Sequence, residues 1–358
     1  MKIDRASSEY EQWISRHLRL LGPDLVLKHQ HMRSGPFPFL RATYYRWAQV
    51  WADVCPEAAK APVVLAVGDL HVQNFGTWRD SEGRLIWGIN DFDEAWRLPY
   101  TNDLIRLATS ALLVPPGCGG KLAVGALLKG YRDALQAGGR PFALAENHPT
   151  LRALATERLH QPEKFWENLR SIREETTPLP TGARKAIERM MPEAGLSWRV
   201  VHRVAGLGSL GRERYLAIAD WRGGSIAREA KALAPSACCW AEGKRTAPIL
   251  YQEILDTAVR CRDPFVRFQK RWIVRRLAPD CARMELSALP QEQDELRLLH
   301  AMGWETANVH MGSRKARILE ADLRKRPANW LLRAAQAMQQ SVLADFKAQA
   351  PIEPQPKR

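Results

Sequence analysis

The sequence predicts an α+β protein built in two lobes, and three observations carry that prediction. The chain has 358 residues, enough for two domains or one bilobal unit. Hydrophobic residues make up 46% and charged residues 26%, the balance of a folded domain, which excludes a disordered, collagen-like or coiled-coil chain. One segment, residues 196–285, alternates like paired strands inside a chain whose other segments show helical spacing.

The elements follow in order. Residues 1–60 read as helices, broken at Gly35-Pro36-Phe37-Pro38. The valine-rich run Ala61 to Val67 reads as a strand ending at Gly68. Arg84 to Ile89 reads as a second strand, entered through the turn Asp80-Ser81-Glu82-Gly83. Asp103 to Val114 has helical spacing and stops at Pro115-Pro116-Gly117. Residues 120–195 read as helices, with breaks at Gly138-Gly139 and from Pro178 to Thr181. Strands are expected over Trp198 to Ala205, Tyr215 to Trp221 and Ser225 to Leu233, followed by a helix over 248–262 and a strand from Arg271 to Leu277. Helices return from Gln291 to Ala348. The units expected are therefore residues 1–195, a β-rich lobe over 196–285, C-terminal helices over 286–349 that complete the larger lobe, and a disordered, proline-rich tail over 350–358.

Charge and cysteine usage narrow the function classes. The 53 Lys and Arg against 39 Asp and Glu leave a net charge of +14, which favours an anionic partner such as a nucleotide. The basic clusters Arg314-Lys315-Arg317 and Arg324-Lys325-Arg326 lie in helical stretches and read as solvated faces, so a nucleic-acid partner is the weaker expectation. The six cysteines form no Cys-x-x-Cys pair, which speaks against structural zinc and a disulfide scaffold. No apolar leader opens the chain, and no run approaches the ~18 apolar residues of a membrane span, so a cytoplasmic protein is expected.

Four motifs carry chemistry. In Gly68-Asp69-Leu70-His71-Val72-Gln73-Asn74, the aspartate precedes an asparagine by the spacing of the kinase catalytic loop. That chemistry needs a base beside the attacking hydroxyl and, one loop turn on, an amide that reaches a magnesium ion on the phosphates. In Ile89-Asn90-Asp91-Phe92-Asp93-Glu94, clustered carboxylates at a strand end repel one another unless a cation offsets them. Asp91-Phe92 occupies the place of the kinase metal-binding aspartate, while Asp91-x-Asp93 also resembles the metal motif of glycosyltransferases. In Gly206-Leu207-Gly208-Ser209-Leu210-Gly211, a glycine-rich turn lies between two strands, the kinase arrangement in which backbone amides cover phosphates. Lys231 follows on the third strand, where a kinase places its phosphate-gripping lysine, with Glu253 of the next helix as its expected partner and Arg228 as a competing phosphate ligand. The order is unusual, because the glycine turn and the lysine follow Asp69 and Asp91. Either the arrangement is circularly permuted or one set of motifs is accidental.

The strings Val67 to Gly76, Asn90 to Ala95 and Asp103 to Ser110 resemble the uncharacterised bacterial family named domain of unknown function 2252. So do Met32 to Arg41, Val204 to Gly211 and Lys231 to Ser236, so that the resemblance runs from about residue 28 to 313. That family in turn looks like the protein-kinase-like superfamily, nearest the aminoglycoside and choline phosphotransferases. The resemblance implies Asp69 as catalytic aspartate, Asn74 and Asp91 as magnesium ligands, and Asp103 as a brace of the catalytic loop. It implies a Lys231–Glu253 ion pair on the α- and β-phosphates. Asp93 is a candidate for a second ion, Arg41 for a phosphate contact, and His71 for a supporting role in the loop.

The expectation is thus a bilobal, kinase-like, circularly permuted α+β enzyme that uses ATP and magnesium to phosphorylate a small-molecule or protein acceptor at a hydroxyl or amine. Three rivals use overlapping features: a kinase-like enzyme that transfers AMP, a non-catalytic nucleotide sensor, and a nucleic-acid binder.

Overall fold

The structure, a computed structural model, describes residues 1–349 apart from 115–116, 145–147, 158–161, 175–177 and 282–291. The expected Pro115-Pro116 helix stop and the 350–358 tail lie outside the described residues. Mixed helix and strand is what the chain forms, in several small sheets.

Five helices open the chain: α1 (Ile3–Ile14), α2 (Gly22–Met32), α3 (Pro36–Ala42), α4 (Tyr44–Val54) and α5 (Pro56–Ala59). Pro36 stands at the first position of α3, where a missing N–H costs nothing, so the Gly35-Pro36 break both ends one helix and starts the next. Four strands follow: β1 (Val63–Ala66), β2 (Phe75–Arg79), β3 (Leu85–Ile89) and β4 (Trp96–Pro99). Strands β1 and β4 pair antiparallel, Ala66 opposite Trp96, and β2 and β3 form a hairpin with Phe75 opposite Ile89. Helix α6 (Thr101–Leu113) is buried along nearly its whole length. Helix α7 (Gly120–Ala137) ends at Gly138, whose φ of 75° is the left-handed cap that glycine accepts most easily. The two-residue strand β5 (Phe142–Ala143) extends the β2–β3 sheet.

Three short helices lead on: α8 (Pro149–Glu157), α9 (Pro162–Arg170) and α10 (Thr181–Glu188). Then come β6 (Arg199–His202), β7 (Arg214–Trp221) and β8 (Gly224–Ala232), the short helices α11 (Ala237–Ala241) and α12 (Tyr251–Thr257), and β9 (Val266–Gln269) and β10 (Trp272–Leu277). These strands form one antiparallel sheet in the order β6-β7-β8-β10-β9. Its period of two sorts the side chains. On one face Val201, Leu216, Ile218 and Ala227 pack with Leu169 of α9. Further along that face stand Arg214 opposite Lys231 and Glu229 opposite Arg275. The chain finishes with α13 (Glu292–Met311), α14 (Ala316–Lys325) and α15 (Trp330–Lys347). Helices α7 and α15 pack against α6, and α13 packs along α7 and reaches β1 and β3.

Three differences from the sequence reading matter. Strands β2, β4, β5 and β9 were not expected. The helix expected over 248–262 covers only Tyr251–Thr257. The glycine-rich segment is a longer loop that contains a single 3-10 turn at Leu207–Ser209, although the strands on either side do pair, His202 opposite Tyr215.

Candidate active site

The loop after β1 is held from below by α6. Gly68 has a φ of 81°, and a side chain there would collide with the Glu94 carbonyl. Asp103, in the first turn of α6, accepts the backbone N–H of Val67 at 2.7 Å and that of Gly68 at 3.0 Å. His310 of α13, with Nε2 at 3.0 Å, and Asn102 Nδ2, at 3.1 Å, complete its surroundings. One turn further along α6, Arg106 donates from Nε to Asp69 Oδ1 at 2.9 Å and also from Nη2. Arg106 is fully buried and stacks on Tyr44 and Trp47, with ring centres 4.8 and 4.9 Å away. Burial pushes the Asp69 carboxyl above its ordinary value, against the opposing pull of Arg106. Asn74 closes the loop on itself by accepting the His71 N–H at 2.8 Å, and His71 Nδ1 accepts from Gln73 N at 3.2 Å.

The β2–β3 hairpin then returns the chain to the same place. Asn90 N donates to Asn74 O at 3.0 Å, so Asp91 emerges beside Asn74 although the two are far apart in sequence. The Lys231 ammonium, 2% exposed, comes from β8 and meets both Asp91, at 3.5 Å, and Asp93. Burial would raise Asp91, but the charges of Lys231 and Arg275 outweigh it and hold this carboxyl below its ordinary value. Asp93 goes the other way, pushed up to about 6 by burial and by the Asp91 charge. Its Oδ1 is buried and has no hydrogen-bond partner among the described residues.

The glycine-rich loop covers Asp69. A Cβ on Gly208 would stand 3.0 Å from the Arg41 carbonyl and 3.3 Å from Asp69 Oδ2, so any other residue would press on the loop beneath. Gly206 takes a φ of 73°, and Ser209 Oγ accepts from Arg214 Nη2 at 2.7 Å. Gly211 has φ 95° and packs against Leu25 of α2, a structural contact. Arg41 lies over the Phe37 ring and lines the site.

Two cavities meet at this cluster. A small one, about 50 Å³, is bounded by Asp69, Asn74, Asp93, Arg41 and Gly208. A wide one, about 720 Å³, lies between the charged face of the five-stranded sheet and the wall formed by Trp78, Phe92 and α12. Asn90, Asp91 and Gly206 border both.

Two expected residues are not brought to the cluster. Glu253 pairs with Arg97 at 2.6 Å on the surface, because the two-turn helix α12 buries Tyr251 and Ile254 and turns Glu253 outward. Asp91 and Asp93 take the place beside Lys231 that was expected for it. Arg228 falls on the opposite sheet face from Lys231 by strand alternation, where it donates to Met190 O at 2.8 Å and stacks on Phe265. Three residues were not singled out from the sequence. Arg106 is one, and an arginine on the apolar side of a helix three residues after Asp103 was the signal for it. Glu94 and Arg212 are the others, a buried pair at 2.9 Å in which Glu94 also accepts Ala237 N at 2.6 Å.

No three His, Cys, Asp or Glu side chains converge as a metal centre among the described residues. The oxygen set of Asp91, Asp93 and Asn74, with one carboxylate oxygen unpartnered, still fits magnesium. That ion needs only one or two protein carboxylates when waters and phosphate oxygens complete its shell.

Neither the comparison with curated proteins nor that with solved structures gave a match. A family model did: residues 22–158, which carry Asp69, Asn74, Asp91, Asp93, Asp103 and Arg106, match the family described as "Uncharacterized protein conserved in bacteria (DUF2252)".

Proposed function

We propose that the protein is an ATP- and magnesium-dependent phosphotransferase of bilobal, circularly permuted kinase-like build, acting on a hydroxyl or amine acceptor. The observation that carries the reading is the meeting of Lys231, from the five-stranded sheet, with Asp91 and Asp93 beside Asn74, on the border of both cavities. The permuted order is supported by the glycine-rich loop lying over Asp69 although it follows it in sequence by more than a hundred residues.

The chain's own groups account for most of the chemistry. The acceptor O–H or N–H loses its proton to Asp69, its heteroatom forms a bond to the γ-phosphorus, and the bond from that phosphorus to the β-phosphate oxygen breaks, releasing ADP. A carboxyl raised above its ordinary value is a better base near neutral pH than an unperturbed one. Arg106 fixes its orientation, and Asp103 fixes the backbone that carries it. Lys231 is in reach of phosphate oxygens entering from the wide cavity, and at Gly206 and Gly208 the covering loop carries no side chain. Magnesium, held by Asn74, Asp91 and Asp93, would neutralise charge on the phosphates.

The test is a thermal-shift titration with ATP and ADP, with and without magnesium, on the full chain and on Asp91→Ala. ATP is expected to raise the melting temperature only with magnesium, the binding stabilising the native state by about 2.7 kcal/mol at a hundredfold excess over Kd. Asp91→Ala is expected to abolish the shift. A folded wild-type sample that no nucleotide shifts would overturn the reading and bring nucleotide sugars and nucleic acids forward.

A further inference from the structure

The wide cavity holds buried donors that lack acceptors. The guanidinium of Arg260 lies between the rings of Trp78 and Phe92, with centroids 4.8 and 5.0 Å from its Cζ. Its Nε and Nη1 are buried and have no hydrogen-bond partner among the described residues. Trp78 Nε1 and Arg275 Nε are orphaned in the same way, and all three residues line the cavity. A buried donor without an acceptor is costly, and more so when it carries charge. Burial lowers the Arg260 pKa, and the buried carboxyl of Glu305 acts on it from beyond ion-pair distance. Arginines, with Lys231, also outnumber carboxylates on the cavity walls. A ligand without acceptor oxygens would leave these donors unmet, and the cationic surplus of the walls favours one whose oxygens carry negative charge.

We propose that the wide cavity is built for an anionic ligand, and that Arg260, clamped between Trp78 and Phe92, holds an oxygen pair of that ligand, a phosphate or a carboxylate. Packing against the two rings restrains the guanidinium, and Nε or Nη1, each paired with Nη2 along its own edge, would make a bidentate contact once a ligand oxygen gains access to that edge. Arg260 shares this cavity with Asp91 and Lys231, and binding of an anion by it does not depend on phosphoryl transfer.

Calorimetric titration of the full chain tests it without nucleotide or magnesium. The probes are pyrophosphate and citrate at constant ionic strength. The proteins are wild type, Arg260→Gln, Arg260→Lys and, as a charge-matched variant away from the cavity, Arg324→Gln on α14. Wild type is expected to bind at least one probe. Arg260→Gln should weaken it about tenfold or more, the size of one charge-assisted contact. Arg260→Lys, which keeps the charge and loses the fork, should weaken it severalfold, and Arg324→Gln should leave it unchanged. Loss confined to pyrophosphate assigns a phosphate, and loss confined to citrate assigns a carboxylate. If Arg260→Gln does not fold, the Arg260→Lys comparison decides alone. Equal affinity in the Arg260 and Arg324 variants, or no binding of either probe to folded wild type, would show that Arg260 only packs between its rings and overturn the proposal. Because neither probe is a nucleotide, a failure here is distinct from a failure of the ATP shift.

Discussion

Glu305 shows how a single buried residue ties stability to pH. It is 1% exposed on α13, where it accepts Ile89 N at 3.3 Å and Asn308 Nδ2 at 2.9 Å, directly under the strand that delivers Asp91. Gly88 makes this possible, because a Cβ there would collide with the Glu305 carboxyl. Burial raises that carboxyl from 4.5 to about 7, against the attraction of Arg260. The folded state therefore holds a proton that the unfolded chain releases earlier. The stability from the protonated group is complete below pH 4.5 and is lost as pH rises through about 7. Glu305→Gln removes this titration. Denaturant unfolding at pH 5 and pH 8 should show wild type losing on the order of 3 kcal/mol relative to the variant over that interval. Parallel changes in the two proteins would refute the assignment. At this scale the sequence was legible wherever a motif has fixed spacing, as with Asp69, Asn74 and Asp91. It was silent on Glu305, Glu94 and Arg212, whose roles come from partners more than a hundred positions away.

Among the elements, the crossing of α7 and α13 positions the site from behind, since α13 carries both His310 and Glu305. The two helices touch through glycines. A Cβ on Gly130 would collide with the His300 carbonyl, and one on Gly303 with the Leu127 carbonyl. Glycine in a helix interior costs about 1 kcal/mol relative to alanine, which the close approach must offset. Gly303→Ala should force the helices apart and destabilise by about 3 kcal/mol, lowering the melting temperature by roughly 6 °C or more. Gly125→Ala, on the exposed side of α7 with open space around it, should raise stability by up to ~1 kcal/mol. A Gly303→Ala protein that melts like Gly125→Ala would show that the helices do not meet so closely. The sequence signalled these helices, but not that glycines set their spacing. It also missed β2, because Phe75-Gly76-Thr77-Trp78 is buried on both faces and so does not alternate. Glu253 was misplaced for a related reason. A lysine near a helix suggests a partner on that helix, while the contact of Lys231 with Asp91, delivered by the β2–β3 hairpin, spans 140 residues.

For the whole molecule, the question is whether the order of the pieces matters once they are assembled. The two ends of the described chain converge on one helix. Gln49 of α4 donates to Met1 Sδ at 3.8 Å, and Arg46, one turn away, pairs with Asp345 of α15 at 2.7 Å. The junction between the segment bearing Asp69 and the five-stranded sheet is the exposed loop around Gly195, whose φ of 78° suits a turn. Exposed loops with few contacts tolerate new termini, and neighbouring ends tolerate joining. A permutant that starts at Leu196 and joins the 350–358 segment to Met1 through a short Gly-Ser linker would place the glycine loop and Lys231 ahead of Asp69, the order of an ordinary kinase. It is expected to unfold in one cooperative transition and to keep the magnesium-dependent ATP shift proposed for the parent chain, because every contact around Asp69, Asp91 and Lys231 is preserved. Calorimetry and the same nucleotide titration read the result. A permutant that folds but no longer shifts with ATP would show that the Gly195 connection helps shape the site, and that chain order is part of how this protein works.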